Sequence, residues 1–181
     1  MAKTKATSSW IDVKAQLAHL DRAGLLGLLQ DLYAASKDNQ AFLHARLQLG
    51  ADVLKPYKAT IDRWLWPDVF KNQDTSVAKA KKAIADYKKA SGTAVGLAEL
   101  MVFYCERASG FSGDVGMDDE TYLGALVRMF EQALKAVTSL PPTQQDPLLT
   151  RLEVVQDRCQ DIGYGVGDDI AELFAEHGGN G

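Results

Sequence analysis

Nowhere does the chain approach the ~20 consecutive apolar residues that a membrane-spanning helix needs. Its longest apolar run is short and lies around residues 100–105. A transmembrane role is therefore excluded, and no membrane partner is expected. Cysteine is scarce. Cys105 and Cys159 are the two in 181 residues, both inside apolar, helix-like segments and without framework spacing. That argues against a disulfide scaffold and for a reduced, cytoplasmic setting, with a single helix-to-helix bridge left open. Histidine is scarcer than metal chemistry requires. His19, His44 and His177 lie far from one another, and neither His-Glu-x-x-His nor Cys-x-x-Cys occurs, so no metal and no cofactor is expected. A Gly-x-Ser-x-Gly elbow is also missing. Strand-like alternation is absent beyond short apolar runs, which removes a sheet.

Helical periodicity is present throughout. The five prolines (Pro56, Pro67, Pro141, Pro142 and Pro147) fall outside the interiors of long periodic segments, and glycine gathers at 110–116, 163–167 and 178–181. Helical stretches broken by such punctuation predict an all-α, single-domain multi-helix bundle of eight or nine helices, with no sheet. A basic start without an apolar core reads as a short disordered arm over residues 1–9. The helical domain spans 10–177, and 178–181 form a flexible tail.

Apolar spacing and caps place the helices. The first runs over 10–19 behind Ser8 and Ser9. A second, over 22–35, is capped by Asp21, and its Leu25, Leu28, Leu29 and Leu32 form a stripe expected to face a core. A third follows Asp38 over 39–49. Residues 51–66 form a fourth, interrupted or kinked at Pro56. The fifth ends at Ala90, and the sixth runs from Thr93 to about Ala108, with Leu97, Leu100, Met101, Tyr104 and Cys105 marking it as central. Residues 110–116 are expected to be irregular. Asp118 then caps a long helix to about Ser139, which resembles the second helix of a tetratricopeptide repeat without its partner, so a helical-repeat-like bundle stays open. Two more helices follow, over 146–162 and 168–176.

Charge is lopsided. Residues 1–105 hold 15 Lys/Arg against 10 Asp/Glu, a net of +5, while residues 106–181 hold 5 against 14, a net of −9. Halves of opposite sign suit a charged protein partner or head-to-tail self-association.

Few segments suggest chemistry. Gly163-Tyr164-Gly165-Val166-Gly167 could cradle a phosphate at a helix start, but Asp168 and Asp169 stand where the anion would sit, and no strand precedes the loop. The stretch from Gly113 through Asp114 to Glu120 hints at calcium, yet it lacks the glycine and the final glutamate that the calcium loop requires. Lys79, Lys82 and Lys89 offer a basic surface for phosphates, but Lys81 and Lys88 spread the charge around the helix and no aromatic residues interleave, which disfavours nucleic acid. Tyr104, Glu106, Phe111, Asp114, Tyr164, Asp168 and Asp169 would line a pocket if the 104–114 and 163–169 segments meet.

Several segments together resemble a known family. They are Leu17-Ala-His-Leu20, the stretch from Leu25 to Leu32-Tyr33, Phe42-Leu43-His-Ala-Arg46-Leu47, and Ala78-Lys-Ala-Lys-Lys-Ala-Ile84. Met101-Val-Phe-Tyr104 with Glu106, Met129-Phe130-Glu131-Gln-Ala-Leu134, and Gly163-Tyr164-Gly165 with Asp168 or Asp169 complete the set. Over residues 17–176 the chain is similar to a bacterial helical family catalogued as domain of unknown function 6155. The resemblance implies an all-helical fold and a bacterial cytosolic setting, and it carries no activity or site residues. The function expected is a non-enzymatic helical interaction module that binds a protein partner or itself. Two alternatives are a small-molecule-binding protein or small helical enzyme using the 104–114/163–169 pocket, and nucleic-acid binding through the lysine-rich helix.

Overall fold

A computed structural model describes residues 8–177; residues 1–7 of the expected arm over 1–9 and the expected tail over 178–181 lie outside the described residues. Among the described residues there are nine α-helices and no strand, an all-α single-domain bundle. The helices are α1 (Trp10–Leu17), α2 (Arg22–Ala35), α3 (Lys37–Leu47), α4 (Lys55–Leu65), α5 (Val77–Ala90), α6 (Ala94–Val115), α7 (Glu120–Thr138), α8 (Pro142–Cys159) and α9 (Val166–His177). A single 3-10 turn, Val69–Lys71, interrupts the α4–α5 loop.

Small polar side chains set most starts. Asp21 accepts from the Gly24 amide at 2.7 Å and opens α2. Ser36, rather than Asp38, opens α3 by accepting from Asn39, so one residue both ends α2 and begins α3. Pro56 does not kink α4. It lies in the first turn, where its missing N–H costs nothing. Pro142 begins α8 four residues earlier than expected and leaves Pro147 inside the helix.

α6 is the hub, packed on α4, α7 and α8. Leu100, Val102, Tyr104, Cys105 and Phe111 on it are almost wholly buried. The expected loop over 110–116 is instead the last turns of this helix, which runs 22 residues to a left-handed cap at Gly116. Packing overrides the weak helix propensity of Gly110 and Gly113 there. At Gly110 an added Cβ would lie 2.5 Å from the Trp66 ring, so the glycine lets α6 approach the end of α4. Cys105 and Cys159 are both buried and free, without a disulfide between them.

The leucine stripe of α2 departs from expectation. No residue of α2 is buried. Leu25, Leu28, Leu29 and Leu32 are 38–47% exposed. α2 packs chiefly on α3, and α3 in turn on α5, so this face does not reach the core around α6.

Candidate functional sites

Four places on the molecule carry chemistry or unpaired surface. The first is a polar spine joining α4, α6 and α8. Arg151 on α8 grips Glu106 with two parallel hydrogen bonds, Nε to Oε1 at 2.7 Å and Nη2 to Oε2 at 2.8 Å. Its third nitrogen, Nη1, reaches Glu99 at 2.5 Å. Glu99 also accepts from Lys58 of α4 at 2.6 Å. The two carboxylates lie two turns apart on α6, the spacing that stacks side chains on one face. Burial pushes the Glu99 carboxyl up, but hydrogen bonds from Arg151 and Lys58 outweigh it and hold the group below its ordinary range. Arg151 is raised, chiefly by its hydrogen bond to Glu106. Both carboxylates are thus committed to cations, and this spine is a clamp between helices. Beside it, Arg107 Nε lies 2.5 Å from Asp62 Oδ1, an ion pair without the alignment of a hydrogen bond.

The second place is a cleft of about 360 Å³ between the end of α6 and the α8–α9 turn. Gly113, Met117, Asp118, Arg158, Asp161 and Tyr164 line it. The two expected segments do meet, but most of the expected residues lie elsewhere. Tyr104 and Phe111 are buried in the core, and Glu106 sits in the spine. Asp114, Asp168 and Asp169 are exposed and off the cleft, the last two in the first turn of α9. Tyr164 alone of the seven lines it, held in the left-handed region at φ +62°. Tyr104 and Glu106 do not pair. The Tyr104 hydroxyl is buried without any partner, and burial raises its pKa.

The third place is a groove of about 740 Å³ between α3, α4 and α5. Lys79, Lys82 and Lys89 converge there and are joined by Lys37 from α3. The one aromatic residue of the lysine-rich segment, Tyr87, is buried, and the aromatic side chains that line the groove arrive from other helices: Phe42 from α3, Tyr57 and Trp64 from α4. Sequence periodicity misses this site because its parts come from three helices spread over residues 37–89.

The fourth is the surface of α1 and α2. Trp10, Ile11, Val13 and Leu20 join the leucines of α2 and Tyr33 in an apolar display, with Trp10 68% and Ile11 77% exposed. Asp12, Lys14, Arg22 and Asp31 lie on the two helices and Asp21 caps the second, so this surface carries a net charge of only −1.

Among the described residues no cluster of three or more His, Cys, Asp or Glu side chains is arranged to hold a metal. No helix there is long and apolar enough to cross a membrane. No family model, no curated protein and no solved structure matches the chain.

Proposed function

We propose that the chain is a non-enzymatic helical interaction module whose docking surface is the α1–α2 segment, and that its partner there is a second copy of itself. The bacterial cytosolic setting rests on the family resemblance. One observation carries the reading: ten large apolar side chains on α1, α2 and their flanks, from Trp10 to Tyr33, are 37–77% exposed. Summed over both helices, these ten residues expose on the order of 1,000 Å², more than the roughly 300–600 Å² of the largest patch on a typical monomer even where only part of the sum lies on one face. A standard interface takes about 800 Å² from each partner, so one more copy is enough to cover it.

Two features favour self-association over a foreign charged partner. The surface carries a net charge of only −1, so two copies meet with little repulsion. An isolated 14-residue helix is marginal in water, and α2 has only α3 as its main support; a permanently available partner of equal abundance stabilises it. The carboxylates of the spine, Glu99 and Glu106, are tied to Arg151 and Lys58 and so are not free for acid–base chemistry.

Multi-angle light scattering tests it. The wild-type chain is expected at twice its 19.7 kDa mass. The Leu25→Asp/Leu29→Asp variant is expected to dissociate about 100-fold more readily, because each buried leucine contributes roughly 1.5–3 kcal/mol. Its helical circular dichroism should stay close to wild type. A wild-type monomer at all concentrations sinks the proposal.

A further inference from the structure

The groove between α3, α4 and α5 has the size of a ligand site. Its volume of about 740 Å³ lies within the roughly 300–1,000 Å³ typical of small-molecule pockets. Phe42, Pro56, Tyr57 and Ala83 give it an apolar wall. Tyr57 is almost buried and packs edge-on against Tyr87, while Phe42 is 38% exposed to the opening. The wall is therefore built into the core on one side and wet on the other.

The charged residues around this wall do not cancel. Lys82 is matched by Asp86 at 2.5 Å. Lys37, Lys79 and Lys89 join no ion pair among the described residues, and Asp38 is the one remaining carboxylate. The groove thus keeps an excess of two positive charges. Lys79 is also positioned: its ammonium sits 3.7 Å from the centre of the Trp64 ring, a cation–π contact that holds it over the opening. Near Lys89 the rim is tied down by a hydrogen bond from Arg46 on α3 to the Lys89 carbonyl.

Apolar wall and uncompensated ammonium groups call for a ligand that has both parts. We propose that this groove binds a small amphipathic anion, an apolar body carrying one carboxylate or phosphate head. The body lies on Phe42, Pro56, Tyr57 and Ala83, displacing water from them. The head meets Lys79, with Lys37 on the α3 side, as charge-assisted hydrogen bonds, while Lys89, ten residues further along α5, adds positive charge at the other end of the groove. A polynucleotide fits less well. Its phosphates need a continuous cationic track, which Asp38 interrupts, and Lys79 already covers the Trp64 face that would stack a base. The site is separate from the α1–α2 surface and stands whether or not the chain self-associates.

Three matched probes test it: 4-phenylbutyrate, 4-phenylbutanol and 4-phenylbutylamine, which share one body and differ in head charge. In ¹H–¹⁵N spectra of the full chain, 4-phenylbutyrate is expected to shift amides of α3, α4 and α5 saturably. The alcohol should bind about two- to fivefold more weakly and the amine more weakly still, since loss of one charge contact at a partly exposed site has about that effect. Lys79→Glu/Lys89→Glu, which changes two exposed side chains, should abolish the response to butyrate. Lys79→Arg/Lys89→Arg should keep it within about twofold. Leu25→Asp/Leu29→Asp should leave it unchanged, which separates this groove from nonspecific binding at α2. Absence of saturation by about 10 mM butyrate, equal binding of the three heads, or shifts confined to α2 would each overturn the assignment. The comparison of heads needs no variant, so a misfolded lysine mutant does not shield the proposal.

Discussion

The Tyr104 hydroxyl lies in the core of α6 with no hydrogen-bond partner. Removing a hydroxyl from water without compensation costs about 1–3 kcal/mol. Burial is also the main reason its pKa is raised, so the group stays neutral and cannot gain a charge-assisted bond. Tyr122 shows the satisfied alternative nearby, donating to the Leu65 carbonyl at 2.7 Å. Tyr104→Phe, which keeps the ring and deletes the orphan oxygen, is therefore expected to raise stability by about 0.5–2 kcal/mol, whereas Tyr122→Phe lowers it. Urea denaturation of the two variants checks this, and a loss in Tyr104→Phe would show that the hydroxyl has a partner. Nothing in the sequence distinguishes the two tyrosines. Each sits on an apolar stripe, and only the position of a distant carbonyl separates them.

At the scale of the helix, glycine has opposite meanings in α6 and α2. At Gly96 a Cβ would sit 2.1 Å from the Tyr87 hydroxyl oxygen, which itself bonds Thr93 at 2.8 Å. The glycine lets the start of α6 close over the end of α5. At Gly27 nothing lies within 4 Å of an added Cβ. Gly96→Ala is expected to cost about 1–3 kcal/mol through overpacking, while Gly27→Ala gains about 0.5–1 kcal/mol through helix propensity. Thermal melts followed by circular dichroism distinguish them; two shifts of the same sign would contradict the packing described. The same contrast explains which helices were legible. Caps and period alone place α2 and α5, because local signals dominate there; the period also places α7, although its cap is Asp119, which accepts from the Thr121 and Tyr122 amides, and not the expected Asp118. The sequence reads the end of α6 as a loop because its glycines are weak helix formers, and it is contact with α4, α7 and α8 that overrules them.

Across the whole molecule, the Lys58–Glu99–Arg151–Glu106 spine links α4, α6 and α8 through bonds between residues 41 to 52 positions apart in the chain. Folding holds the Glu99 carboxyl below its ordinary value of 4.5. Its contribution is therefore fully present above that value and is lost as pH falls through the lowered folded value. Glu99→Gln is expected to cost about 1–3 kcal/mol at about pH 7, with the cost shrinking at an acid pH below the lowered folded value, where the wild-type carboxyl is protonated too. Urea melts of both proteins at the two pH values measure it. A difference that is constant or larger in acid would mean that Glu99 acts through packing and not through its charge.

The sequence by itself determined the helical class, most helix boundaries and the shortage of catalytic and metal motifs, because caps, breakers and a 3.6-residue period are local and survive without a partner. It also named Lys79, Lys82 and Lys89 as a basic group. Tertiary structure decided everything that depends on which faces meet. It placed the lysines beside Phe42, Tyr57 and Trp64 in one groove, tied Glu106 to Arg151, and left Tyr164 alone of the residues expected to line a pocket in the cleft beside α9. It also left the α2 stripe, whose pattern reads as core, without a core to face. An amphipathic period specifies that a face must be covered, and only the packing of the other helices specifies whether this chain covers it.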